Sequence, residues 1–102
     1  MHPIVEAKLP EIAELCRRHH VKRLELFGSA ATGKFDPASS DVDFLVEFPP
    51  EARKPWGGEL QDLKEDLEKL FERKVDLISN REIENPYKRK SINASRRLVY
   101  AA

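Results

Sequence analysis

Leu26-Phe27-Gly28-Ser29 and, beyond an intervening loop, Ser40-Asp41-Val42-Asp43-Phe44-Leu45-Val46 decide how this chain reads. Both are apolar runs of strand length; one ends on a glycine-serine pair and the other opens on two aspartates flanking a valine. Side chains alternate across a strand, so Asp41 and Asp43 point to one face, with Cα atoms roughly 7 Å apart. A third aspartate, Asp76, sits inside the apolar run Lys74-Val75-Asp76-Leu77-Ile78-Ser79. Aspartate is depleted in strands, and a buried carboxylate without a partner is costly. Taken singly, Asp41 could end the preceding loop and Asp76 could pair with an arginine of the last helix. Three carboxylates on two strands point instead to a shared divalent cation. Mg²⁺ prefers such hard oxygen ligands and is commonly held by one or two carboxylates together with phosphates.

Gly28-Ser29 adds a place for those phosphates. Glycine lets a ligand approach the backbone, and a serine hydroxyl with nearby N–H groups can hold phosphate oxygens. The pair alone would be an ordinary strand-ending turn. It is neither a Walker loop nor a Gly-x-Gly-x-x-Gly fingerprint.

Outward from this centre, Leu9, Ile12, Ala13 and Cys16 recur at helical spacing and predict an amphipathic helix over about 5–20. Arg17, Arg18, His19 and His20 would occupy its last turn, where positive groups suit the helix dipole. Strands follow over 23–27 and 42–48, separated by a loop over 30–40 that carries Gly33, Asp36 and Pro37. Pro49, Pro50, Pro55, Gly57 and Gly58 mark another loop. Leu60, Leu63, Leu67, Leu70 and Phe71 line a second helix over about 59–72, and the third strand is 74–79. Asn85-Pro86 opens a last helix, about 86–100, with Lys88, Arg89, Lys90, Arg96 and Arg97 on it and Ile92, Leu98 and Val99 on its apolar side. The order helix, strand, strand, helix, strand, helix predicts an α/β (α+β) fold, a small mixed β-sheet with helices packed on it.

A chain of 102 residues is expected to form a single domain, 1–102. Eighteen basic residues balance eighteen acidic ones, so no global basic field exists to hold a nucleic-acid polymer. One cysteine, Cys16, excludes an internal disulfide and suits a reducing compartment. No apolar run approaches the roughly 18 residues of a membrane span, and the first residues lack a signal-peptide layout. A soluble, cytoplasmic protein is expected, with no membrane contact. His19 and His20 read as helix-end residues, since neighbouring helical side chains diverge by about 100°. Cys16 reads as core, Trp56 as a packed loop residue, Tyr87 and Tyr100 as packing, and the basic helix as a solvated or partner-facing surface.

The same residues carry a resemblance. Leu26-Phe27-Gly28-Ser29, Gly33 and Ser40-Asp41-Val42-Asp43-Phe44-Leu45-Val46 resemble the signature of the polymerase-β-like nucleotidyltransferase superfamily, in particular its minimal nucleotidyltransferases. The helix before the third strand, Asp76 in its strand, and the tail from Asn85-Pro86-Tyr87 to Leu98-Val99-Tyr100 are similar as well, so the likeness spans nearly the whole chain. One residue more than in the compact signature separates Ser29 from Asp41, within the loop 34–40.

The resemblance implies a polymerase-β-like nucleotidyltransferase fold. It also implies that Gly28, Ser29 and Ser40 bind the nucleotide, and that Asp41, Asp43 and Asp76 are the catalytic residues and the metal ligands. The implied cofactors are two Mg²⁺ ions, with ATP as donor substrate. The implied reaction moves AMP to a protein acceptor and releases pyrophosphate. The partner implied is a HEPN-domain toxin, which the chain would serve as antitoxin. Transfer to RNA or a small molecule, and a non-catalytic module that neutralises its partner by contact, are the competing expectations. Against the larger members of that superfamily, this chain is expected to lack an acceptor-binding domain, so the acceptor would come with a partner or through a homo-oligomer.

Overall fold

The computed structural model describes residues 3–32, 41–49, 58–79 and 86–102, without the side chains of 86–89 and 91. Gly33, Ser39, Ser40, Trp56 and Gly57 lie outside the described residues, and so does the side chain of Tyr87.

The first amphipathic segment forms two helices, α1 (Pro3–Glu6) and α2 (Leu9–Arg18), where one was expected. Pro10 explains the break. It has no N–H to donate to the carbonyl of Glu6, and its ring collides with the preceding turn. The chain therefore turns at Ala7-Lys8 and restarts with proline in the first turn of α2, where the missing donor costs nothing. Ile12 and Cys16 are fully buried beneath it. His20 adopts φ 58 after the helix and redirects the chain into β1 (Arg23–Phe27).

A four-residue helix, α3 (Ser29–Thr32), follows Gly28, where sequence predicted only loop. The remaining elements are β2 (Val42–Glu47), α4 (Gly58–Phe71), β3 (Val75–Ser79), α5 (Pro86–Ser95) and β4 (Arg97–Ala101). The last is a correction: the expected helix over 86–100 stops at Ser95, and its tail is a strand. Leu98, Val99 and Tyr100 include β-branched and aromatic side chains suited to strands, and β1 has an edge to offer them. Tertiary pairing therefore overrides a helical reading of three scattered apolar residues. Leu98, assigned to a buried stripe, is 52% exposed.

The four strands form one mixed sheet in the order β3-β2-β1-β4. β1 is antiparallel to both β2 and β4, while β2 and β3 are parallel. Leu24, Leu26, Val42, Phe44, Val46, Val75 and Leu77 form one face and pack with Val5, Ile12, Cys16, Leu63, Leu67 and Phe71 of the helices. The opposite face carries a smaller cluster in which Leu45 and Ile78 meet Ile92 of α5, with Phe27 against them. By the two-residue period, this second face also receives Glu25, Asp43, Glu47 and Asp76.

Candidate functional site

The site forms where β1, β2 and β3 end on the second face. The parallel register of β2 and β3 sets Asp43 beside Asp76, and the antiparallel register of β1 and β2 sets Phe27 beside Asp43. Neighbouring strands lie about 4.8 Å apart, so the two aspartates are adjacent by construction. Asp41 lies one residue before β2 and not within it. The expectation of three strand-buried carboxylates is corrected accordingly. Asp41 and Asp76 are exposed, and Asp43 is half-buried.

Burial pushes the Asp43 carboxyl up to about 6, and the negative charges of Asp76 and then Asp41 add to the rise. The three carboxylates therefore share one field. They do not close into a cage: among the described residues, no three acidic, imidazole or thiol groups surround a common point. The donor set is open toward solvent.

Gly28 follows Phe27 and adopts φ +74, a conformation that side chains resist. A Cβ placed there would lie 2.5 Å from Asp43 Oδ2, inside van der Waals contact. Glycine thus serves twice, for the turn and for leaving the Asp43 carboxylate where it stands. Ser29 opens α3 immediately afterwards. The Gly28 carbonyl accepts from the N–H groups of Ala31 and Thr32 at 3.1 and 3.2 Å, which closes the turn. Gly28, Ser29, Asp41, Asp43 and Asp76 therefore all belong to one end of the sheet.

Two neighbours escaped the sequence reading. Ser95, at the end of α5, is 8% exposed, and its hydroxyl accepts the Gly28 N–H at 3.0 Å. Glu25, 5% exposed, is held by Arg96 through Nε at 2.8 Å and Nη2 at 2.5 Å, with Arg23 Nε at 3.1 Å. The hydrogen bonds from Arg96 outweigh burial and hold the Glu25 carboxyl below its ordinary range. Arg96 thus pairs with Glu25 rather than with Asp76. A charged residue between Leu24 and Leu26, in phase with the aspartates, was the available signal for Glu25. Ser95 offered none, since its partner lies 67 residues away.

A family model described as nucleotidyltransferase domain matches residues 9–99. The chain belongs to the nucleotidyltransferase domain family. A proposed protein adenylyltransferase of Methanocaldococcus jannaschii is 44% identical over 100 residues, covering 90% of this chain and 96% of that relative. The solved structure of a proposed minimal nucleotidyltransferase superposes with a TM-score of 0.75 at 31% identity, over 95% of each chain. A chain from the complex of a tri-AMPylated Shewanella oneidensis HEPN toxin with an MNT antitoxin has a TM-score of 0.63 at 16% identity, over 96% of this chain and 73% of that one. At that identity the likeness is one of fold. The α+β architecture with a mixed four-stranded sheet is that of the minimal nucleotidyltransferases, and the chain is a nucleotidyltransferase.

The other sequence-marked residues belong to the main core and the helices that cover it. Cys16 is buried, and burial pushes its thiol up to about 12. His19 joins α2 to α4 through Nε2 and Asp66 Oδ2, 2.6 Å apart. Tyr100 packs half-buried against the main core. Among the described residues, no helix is long and apolar enough to cross a membrane.

Proposed function

We propose that this nucleotidyltransferase transfers AMP from ATP to a protein acceptor, a HEPN-domain toxin that it counters as antitoxin. The observation that carries the reading is the meeting of Gly28 with Asp43 beside Asp76. It puts a backbone turn able to admit phosphates against a concentration of carboxylate charge. The M. jannaschii relative, a proposed protein adenylyltransferase, and the AMPylated toxin bound to an MNT antitoxin support the acceptor class.

The donor set fits Mg²⁺. It consists of carboxylate oxygens alone, it is open on one side, and mutual repulsion within it favours a cation. Asp41, Asp43 and Asp76 would hold two such ions, leaving positions for phosphate oxygens and water. Bound there, Mg²⁺ would offset charge on the attacking and leaving oxygens of an in-line displacement. Ser29 would donate its hydroxyl to the β- or γ-phosphate, while Gly28 leaves room for that approach. Ser40 would complete the nucleotide contacts. Asp76, exposed on the edge strand β3, is accessible to an incoming hydroxyl and would take its proton. The acceptor oxygen then bonds to the α-phosphorus, the bond to the bridging oxygen breaks, and pyrophosphate leaves.

The test incubates the chain with labelled ATP, Mg²⁺ and the product of its neighbouring gene, beside an Asp41→Asn/Asp43→Asn double variant. Label on the neighbour with wild type only is the expected result. Equal neutralisation by both proteins with no label moved would establish a contact-only antitoxin and overturn the reading.

A further inference from the structure

The end of α5 is hydrogen-bonded to the Gly28 turn. Ser95 is the last residue of α5, and its buried hydroxyl receives the Gly28 N–H at 3.0 Å while facing the Ile92 carbonyl at 3.5 Å. Its helix is itself anchored on the same face of the sheet. Ile92 packs with Leu45 and Ile78, and the next residue, Arg96, grips Glu25. The hydroxyl therefore stands on a fixed support, not on a mobile side chain.

We propose that Ser95 is a positioning residue for nucleotide binding, holding the Gly28 turn open beside Asp43 without touching the nucleotide. The inference rests on the reading of Gly28-Ser29 as the phosphate turn. Gly28 occupies a left-handed conformation that is one of several open to glycine. The Ser95 hydroxyl selects it by accepting the N–H, and the same turn sets the clearance to Asp43 Oδ2. This also reassigns Gly28: its N–H is committed to Ser95, so it contributes space rather than a donor. The N–H groups of Ala31 and Thr32 are committed to the Gly28 carbonyl. Ala30 is fully buried, which leaves the Ser29 hydroxyl, on the residue that opens α3, as the donor of this turn for a phosphate.

The test compares wild type, Ser95→Ala and Ser95→Thr by amide hydrogen exchange and by calorimetric titration with the Mg²⁺ complex of AMP-PNP. Loss of one hydrogen bond is worth about a factor of ten. In Ser95→Ala the Gly28 amide should exchange about tenfold faster, while the Ile12 amide in α2 keeps its wild-type rate. Nucleotide affinity should fall about five- to tenfold, and Ser95→Thr, which retains the hydroxyl, should recover most of both. Ser95→Ala binding AMP-PNP as tightly as wild type overturns the proposal alone, and so does an unchanged Gly28 amide. An Ile12 amide that accelerates equally assigns Ser95 to general stability and also overturns it. Wild type that takes up no Mg²⁺·AMP-PNP overturns the phosphate-turn reading itself.

Discussion

Gly28 and Asp43 show how two single residues define one another. The glycine has φ +74, and a methyl group there would meet the end of the Asp43 side chain. That carboxylate can swing away, so Gly28→Ala should cost only the backbone strain, about 1–2 kcal/mol. Its larger effect should fall on ligand binding, since the displaced oxygen is a proposed metal ligand. Calorimetry should show Mg²⁺·AMP-PNP affinity reduced more than tenfold, with a melting temperature only a few degrees lower. Intact affinity would show that the close approach has no bearing on the site. Cys16 makes a simpler prediction. Its thiol is buried and raised to about 12, so the reactive thiolate is scarce at neutral pH. A thiol-specific chromogenic reagent should label the native chain only slowly and the denatured chain at once. At this scale much was readable in advance. The two-residue period and the rarity of strand aspartates marked Asp41, Asp43 and Asp76 as one group, and the parallel register of β2 and β3 then set Asp43 beside Asp76. What period cannot supply is a partner distant in sequence, which is why Glu25 was readable as an anomaly and Ser95 was not.

Among the elements, the junction of α5 with β4 links the site to the edge of the sheet. Ser95 reaches Gly28 and Arg96 reaches Glu25, two adjacent residues tied to the same strand end and its interior. Removing one member of a buried ion pair leaves the other charge uncompensated. Arg96 is a third exposed, and Arg23 still lies 3.1 Å from Glu25. Arg96→Met should therefore cost about 2 kcal/mol, short of the full buried-pair penalty. Arg97→Met, on an exposed residue, should cost under about 0.5 kcal/mol. Urea unfolding of the two variants checks this, and equal losses would remove the case for the Glu25 network. The structure of this junction was the least legible part of the chain. Local pattern allowed a helix through Tyr100, and only the free edge of β1 made the tail a strand. The break at Pro10 lies at the other extreme, because a proline in mid-helix states its own consequence.

For the whole molecule, the two shifted carboxylates act in opposite directions on stability and should produce a maximum near pH 5. Asp43 is raised from 3.8 to about 6, so the folded state binds its proton more tightly than the unfolded chain. Its contribution is complete below about pH 4 and is lost as pH rises through 6. Glu25 is lowered from 4.5, so its contribution is present above that value and disappears as pH falls through the folded value. The alkaline limb belongs to Asp43. Its shift of about two units would correspond to about 3 kcal/mol if fully expressed, and partial solvent screening reduces this to about 1 kcal/mol. About half of that remains to be lost above pH 5, so in a domain of this size the melting temperature should be roughly 2–4 °C higher at pH 5 than at pH 7.5. Asp43→Asn should flatten that limb and, at pH 7.5 without divalent cations, melt above wild type by a similar margin. Adding millimolar Mg²⁺ should raise wild type toward the variant and leave the variant unmoved, because a cation relieves the same repulsion that protonation does. A pH 5–7.5 slope that survives Asp43→Asn would place its origin elsewhere. Stabilisation of the variant by Mg²⁺ equal to that of wild type would detach the ion from Asp43. The combined pattern would show a site built at a cost to the empty fold, which the bound ion and nucleotide offset.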